Sequence, residues 1–486
     1  MKMKQGLLAA IVIAGTTGLY GCSSDSDDGE LTGETITNSG TVQGRITGFG
    51  SIYVNGVEYE TDNAVIHVDG ESATEDDLDL GMIVTLRGEA SGARGTAQSV
   101  TFDDDVEGIV TSVNLDQKGI GNINVMGYSV QLDANTLVEY YTMDINTLEQ
   151  AIYDPNVGIQ YVAEVSGYSD GQGDIHATRI EIKSYDAINA YLEVKGFVQN
   201  HSQMNQTFSI AGMNVTYSNV TQYDDMSPAM LNDGLHVEVK GRSFDAQGFL
   251  VAEKIENETL SGIDNSDVND DLEIEGVVRS LSSDSFVLNG YTIYFDENTT
   301  GTEVLSENAL VEVDAYIDSQ SRLYAYEIDV DELYDDYHNG IEMKGLVQEI
   351  DTANGTVRVM DKTIAVTSST MIRDEYTKMR YFNLSDINWS AGNQYVEVKA
   401  YVDSDGNLVA SRLIYEGSGS GETEELEGTL SIDGSGANIM GISVEFGSFG
   451  VPATGSRVEM TGIYSSGVFY VEDFEAELEG GSSTVL

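Results

Sequence analysis

One motif returns six times along the chain, and it restricts the fold more than any other feature. It is a pair of short alternating apolar runs joined by a two-residue turn. The clearest copy is Ile52-Tyr53-Val54-Asn55-Gly56-Val57-Glu58-Tyr59, and Phe286-Val287-Leu288-Asn289-Gly290-Tyr291-Thr292-Ile293 repeats it. Asn-Gly between such runs marks a β-hairpin, because a type I′ turn needs φ > 0 at both central residues. Weaker copies centre on Met126-Gly127, Ala211-Gly212, Met360-Asp361 and Met440-Gly441. A chain built this way is expected to be a series of small β-modules.

Each hairpin follows a strand pattern with a central glycine, placed 11 to 18 residues earlier: Gly44, Gly108, Gly196, Gly276, Gly345 and Gly428. A strand glycine at a fixed place marks a bend or a close backbone approach. After a variable stretch comes a second strand ending in Gly88, Gly167, Gly241 or Gly462, with Ala315 and Ala400 at the equivalent places. A last strand closes the unit, as in Ala177-Thr178-Arg179-Ile180 and Ala252-Glu253-Lys254-Ile255. Apolar and charged residues alternate along these strands, the period of a half-buried strand. Five antiparallel strands with an insertion between the third and fourth match the strand order of an OB-like barrel. The expected fold is therefore all-β: a tandem array of about six small OB-like five-stranded β-barrel modules. Closing each sheet is expected to remove edges that would otherwise pair between units.

The predicted modules span 41–104, 105–184, 190–258, 272–331, 340–416 and 424–478. Short helices are expected in some insertions. Ile145, Leu148 and Ile152 share a helical face in module two, with Asp144 as cap and Pro155 beyond the end. Ser227-Pro228 in module three reads as a cap followed by proline at the first helical position. Module five inserts Tyr376 to Trp389, which holds the single tryptophan. Modules of this size bury a modest core and are individually marginal. Short connections predict neighbours that touch, and six laid end to end would reach roughly 150–180 Å.

The pattern G-x-[IV], [IV]-x-[VL]-N-G, G-x-x-[VI]-x-[VL]-x-G, A-x-x-[IL] resembles the bacterial domain-of-unknown-function family 5666, found in tandem in lipoproteins. The resemblance runs over nearly all of 41–478 and is best in unit one, at Gly44, Asn55, Gly56, Gly81 and Gly88. It implies an exported, β-rich repeat protein and brings no established activity.

Residues 1–22 read as a targeting segment. Lys2 and Lys4 precede a short apolar run, Leu7 to Ile13, too short to span a bilayer. The segment ends in Leu19-Tyr20-Gly21-Cys22, and Cys22 is the only cysteine. This resembles a bacterial lipobox, which implies lipidation at Cys22 and attachment to a membrane through an N-terminal lipid anchor. The alternative is an ordinary cleaved signal with a chance cysteine. Ser23, in place of Asp, implies outer-membrane sorting by resemblance to proteobacterial rules, with the periplasmic or surface face left open. Residues 23–40 are polar and acidic and read as a tether. No intramolecular disulfide can form, so the modules must fold without staples.

Acids outnumber bases 82 to 23, a net charge of −59. A field this negative repels phosphate backbones and argues against nucleic-acid partners. Three acidic clusters fall at module junctions: Asp103, Asp104 and Asp105; Asp264, Asp267, Asp270 and Asp271; and Asp329 to Asp336. Such runs suit Ca²⁺, which takes six to eight oxygens from flexible loops, and they suit a solvated linker equally. The five histidines are not at ligand spacing, and no phosphate loop or nucleophile motif is present. No catalytic residue and no cofactor beyond Ca²⁺ is nominated. The expectation is a non-catalytic, lipid-anchored cell-envelope protein acting as a binding or structural array. Its partner would be an envelope protein or polysaccharide. Exposed tyrosines on barrel faces suit sugar stacking or protein binding, but tyrosine in a strand is also simply a good β-former, and none is singled out. Two alternatives stand beside it: a Ca²⁺-responsive adhesin-like surface protein, and an enzyme with a site in the insertions of module two or five.

Overall fold

All six hairpin turns have the backbone the motif demands. Both central residues have positive φ: 46° and 76° at Asn55-Gly56, 48° and 99° at Met126-Gly127, and 48° and 81° at Asn289-Gly290. Met360-Asp361 does so without glycine, at 46° and 59°. A computed structural model describes residues 38–116, 119–133, 135–140, 160–185, 191–258, 271–318, 320, 322–330, 340–403, 406–419, 423–434 and 436–477. The signal segment with Cys22, the tether up to residue 37, and the helix expected near 143–153 lie outside the described residues. The chain divides into Met1–Ile36 and Thr37–Leu486, and the fold below is that of the second unit.

Module one shows the topology. Its first strand, Asn38–Gly48, pairs antiparallel with Ile52–Val54, which pairs with Val57–Glu60. Val57–Glu60 runs parallel to the last strand, Arg94–Phe102, which pairs with Ile83–Ser91, and that strand returns to the first. The order 1-2-3-5-4-1 is a closed OB-like barrel. Modules two, five and six close in the same order. The insertion between strands three and four adds a short strand parallel to the last one: Val65–Val68, Leu137–Tyr140, Gln222–Asp224 and Met371–Asp374. The described helices are single 3₁₀ turns. One is Pro228–Met230, with Pro228 at its first position as expected although the Ser227 side chain makes no cap bond. Two, Leu384–Asp386 and Trp389–Ala391, fill the module-five insertion.

The strand glycines have a steric cause. A Cβ on Gly44 would sit 1.8 Å from Asn55 Oδ1, and one on Gly276 2.5 Å from Asn289 Oδ1. On Gly108 it would meet Met126 Sδ at 2.7 Å, and on Gly428 Ile439 Cγ2 at 2.6 Å. The glycine thus seats a side chain of the hairpin folded back over the first strand. Two residues later the strand changes partner, at Ile46, Val110, Val347 and Leu430. The second glycines Gly88, Gly167 and Gly462 sit at β-bulges, where a Cβ would press on a carbonyl of the last strand, 2.4 Å at Gly88 and 2.1 Å at Gly462. Ala315 and Ala400 stand at the equivalent bulges.

The partner change leaves one edge of each first strand free over its N-terminal half, and that edge is where modules join. Glu107 and Val106 of module two pair antiparallel with Glu193 and Val194 of module three. Glu342 to Lys344 of module five pair with Glu427 to Glu425 of module six. Gly40 to Gln43 of module one pair parallel with Asp271 to Ile274 of module four. Barrel closure therefore does not remove the pairing edge, as the sequence suggested, but hands it to another module. Modules one and four are not neighbours in sequence, so the end-to-end layout is corrected as well. The cores follow the pairs: Val106 to Ile255 form one apolar cluster across modules two and three, and Ile341 to Val471 one across five and six. Modules one and four keep separate cores. Polar bonds cross between them, beside a small apolar cluster of Val277 and Leu310 with Tyr168 of module two and Ile83 of module one.

Candidate functional site

The acidic run at the first junction is drawn into a buried charged seam shared by modules one, two and three. Alternation along the extended chain sends neighbouring side chains to opposite sides. Asp103 and Asp105 line a cavity of about 60 Å³ together with Lys195, His236 and Asn289. Asp104, 2% exposed, is instead grouped with Glu107 and Glu164, one oxygen of each lying within 4.8 Å of the others. The Asp104 amide donates to Asp69 Oδ1 at 3.3 Å, and Gly167 N–H donates to Asp105 Oδ2 at 2.9 Å.

Glu107 and Glu193 face each other directly across the seam. Like charges so placed repel, and two lysines offset them. Lys183 Nζ lies 3.0 Å from Glu107 and 2.7 Å from Glu164. Lys240 Nζ lies 2.5 Å from Glu193 and 3.2 Å from Glu238. A second acidic group, Glu238, Glu256 and Glu258, closes the module-three side. Burial, then the neighbouring carboxylates, push Glu193 up to about 8. Burial raises Asp69 and Asp105 to about 6 and Glu258 to about 7, against the pull of Lys240 or Lys195. Asp104 is pushed well above the usual carboxylate range by burial and by Glu164, Asp69, Glu193 and Glu107. Burial works against the Lys195 ammonium, yet Glu258, Asp103, Glu238 and Asp105 hold its proton more tightly than usual. His236 is lowered to about 4 by burial, and its Nδ1–H donates to Glu258 O at 2.8 Å.

Of the sequence-nominated acids, Asp103, Asp104 and Asp105 thus converge on one seam. Asp264, Asp267 and Asp270 lie outside the described residues, and Asp271 is the strand residue paired with Gly40. The partners Asp69, in a turn, and Glu107, Glu164, Glu193 and Glu238, in strands, were not nominated, because each looks locally like an ordinary solvent-facing residue. The usable trace was Glu107, placed just before a strand glycine on the edge that pairs.

A second junction joins modules one, two and five around a cavity of about 190 Å³. Arg179 reaches Asp79 at 3.2 Å and Glu139 at 3.0 Å, Arg373 reaches Glu139 at 3.5 Å, and Arg380 reaches Asp79 at 3.2 Å. Arg380 also caps the carbonyls of Glu75 and Leu78 and lies 4.0 Å over the Phe49 ring. These cations are tied into module contacts.

The outer face of module four carries a strip of tyrosines. Tyr294 stacks on Tyr324 at 6.2 Å and 19°, and Tyr316, 40% exposed, stacks on Tyr324 at 6.0 Å and 30°. Arg322 lies 5.1 Å from the Tyr294 ring, held by Asp318 at 2.7 Å. Such a row offers flat apolar faces with polar tips.

No curated protein matches the chain. Among solved structures it is similar to a chain described as drosophila Unr CSD456, at 17% identity, covering 47% of this chain and 97% of that chain, with a TM-score of 0.12. A family model described as "Domain of unknown function (DUF5666)" matches residues 107–181, 195–256, 275–329 and 344–413. These are modules two to five; module one, expected to fit best, and module six share the topology but lie outside the matched residues. The matches are in tandem and take in more than half of the sequence, so the chain belongs to the DUF5666 family.

Proposed function

We propose that this is a non-catalytic, lipid-anchored protein of the cell envelope, in which six barrels form a structural array with a ligand-binding face. The observation that carries the reading is where the polar side chains go. Asn55 donates to Glu273, Asn289 to Gln43, Arg380 to Asp79, Thr178 to Gly81 O and Tyr128 to Lys195 O. Each of these bonds links two modules and fixes one against the other, as a scaffold requires. The anchor rests on the lipobox-like Leu19 to Cys22. The docking surface is the Tyr294, Tyr324 and Tyr316 strip, whose flat faces suit a sugar ring or an apolar protein loop.

Membrane fractionation of the full chain tests the anchor: wild type pellets with outer membranes and Cys22→Ala moves to the soluble fraction. Pelleting of the variant overturns it. Capture from envelope extract tests the face: Tyr324→Ala loses the polysaccharide or protein that wild type retains, and equal capture by both overturns the assignment.

A further inference from the structure

We propose that Asp104, Glu107 and Glu164 hold a hard divalent cation, Ca²⁺, at the seam of modules one and two. Each offers one carboxylate oxygen, and the three oxygens lie within 4.8 Å of one another. Ca²⁺–oxygen bonds of 2.3–2.6 Å place two ligands on opposite sides of one ion up to about 5 Å apart. The spacing is therefore that of a single coordination sphere.

The second observation is Asp104 itself. It is 2% exposed, and its Oδ1 is buried with no hydrogen-bond partner. A buried carboxylate with an unmet oxygen is costly unless a cation or donor reaches it. Lys183 bridges Glu107 and Glu164, but no ion pair joins a lysine or arginine to Asp104 among the described residues. The one lysine of the group therefore reaches two of its three carboxylates. The other acidic group differs, since Glu238 has Lys240 at 3.2 Å and Glu256 has Lys254 at 2.6 Å.

The donor set selects the ion. Three carboxylates with no imidazole or thiolate are hard ligands, which suit Ca²⁺ and Mg²⁺ over zinc or copper. Ligands drawn from a junction segment and two strands give an irregular, adaptable sphere, which favours Ca²⁺ over the strict octahedron of Mg²⁺. Water and the second Asp104 oxygen complete the sphere. The ion would fasten the segment leaving module one to the first and fourth strands of module two.

The test is calorimetric titration of the full chain with Ca²⁺ alone, beside thermal melts in chelator and in millimolar Ca²⁺. Wild type binds Ca²⁺, and its Tm rises by about 2–4 °C. Asp104→Asn removes the unpaired charge, so in chelator it melts no lower than wild type. It also weakens Ca²⁺ binding by at least about tenfold, since even a second-sphere partner is worth that much. Glu164→Gln loses the Ca²⁺ response as well. A wild-type Tm unmoved by Ca²⁺, or a shift of equal size in Asp104→Asn, overturns the proposal. None of these outcomes touches the fractionation of Cys22→Ala, so the site and the anchor stand or fall separately.

Discussion

The Asn55 side-chain amide donates to Glu273 across 2.8 Å, joining modules one and four through residues 218 positions apart. Asn289 returns the contact from module four, donating to Gln43 at 2.9 Å. Asn-Gly survives only in these two of the six hairpins, and these two modules share a seam. The turn residue is therefore kept for what its side chain does across the seam, in addition to its tolerance of positive φ.

Asn55→Ala should destabilise the protein by about 2 kcal/mol. It removes a hydrogen bond to a carboxylate and leaves alanine at φ 46°. In a double-mutant cycle with Glu273→Gln, read from denaturant midpoints, the coupling should be about 1 kcal/mol. Additive effects would remove the pair from the account.

Gly44→Ala should reproduce the Asn55→Ala phenotype. The new Cβ would stand 1.8 Å from Asn55 Oδ1 and force that side chain off Glu273. The cost should be about 1–3 kcal/mol and should not add to that of Asn55→Ala. Gly434→Ala, with nothing within 4 Å of its Cβ, is the neutral comparison.

The protein should be more stable near pH 5.5 than near pH 8.5. Burial raises Glu273 to about 7, and burial with Glu273 and Glu275 raises Glu312 to about 9. Glu193 and Glu258 are raised in the same sense, to about 8 and about 7. From about pH 4 to about pH 9 the folded state then binds more protons than the unfolded state, so stability falls as pH rises. His236, lowered to about 4, acts the other way, because below about pH 6.5 the unfolded chain takes up its proton while the folded chain does so only near pH 4. Tm followed against pH should therefore decline on the alkaline side, and Glu312→Gln should flatten that decline.

Arg380→Ala should loosen module five from module one. The guanidinium joins Asp79, the carbonyls of Glu75 and Leu78, and the Phe49 ring. Limited proteolysis should speed up in the Tyr376 to Gly392 segment while the paired core of modules five and six stays protected. Arg380→Lys should rescue only part, because an ammonium lacks the planar fork. Unchanged cleavage in Arg380→Ala would refute the contact.

Much of the fold was legible because its determinants are local. A two-residue turn fixes φ at both positions, so Met360-Asp361 could be aligned with Asn55-Gly56 despite sharing no residue. The strand glycines marked where a hairpin side chain lies on the strand, and barrel order followed. The pairing of modules was not legible, because Gly40 and Asp271 have no local signal that ties them together. The retained Asn55 and Asn289 were its one trace. The run Asp103 to Asp105 stood out as a sequence feature, whereas Glu107, Glu164 and Glu193 each sit singly in a strand and meet only when the barrels do.

Small-angle scattering of the unit Thr37–Leu486 tests most directly whether the barrels pair out of sequence order. Compact scaling for a unit of this length gives a radius of gyration of about 22 Å. Barrels paired out of sequence order give a value below about 30 Å. Six modules in sequence order along a rod of roughly 150–180 Å would give about 45–50 Å, and that result would contradict the pairing of module one with module four.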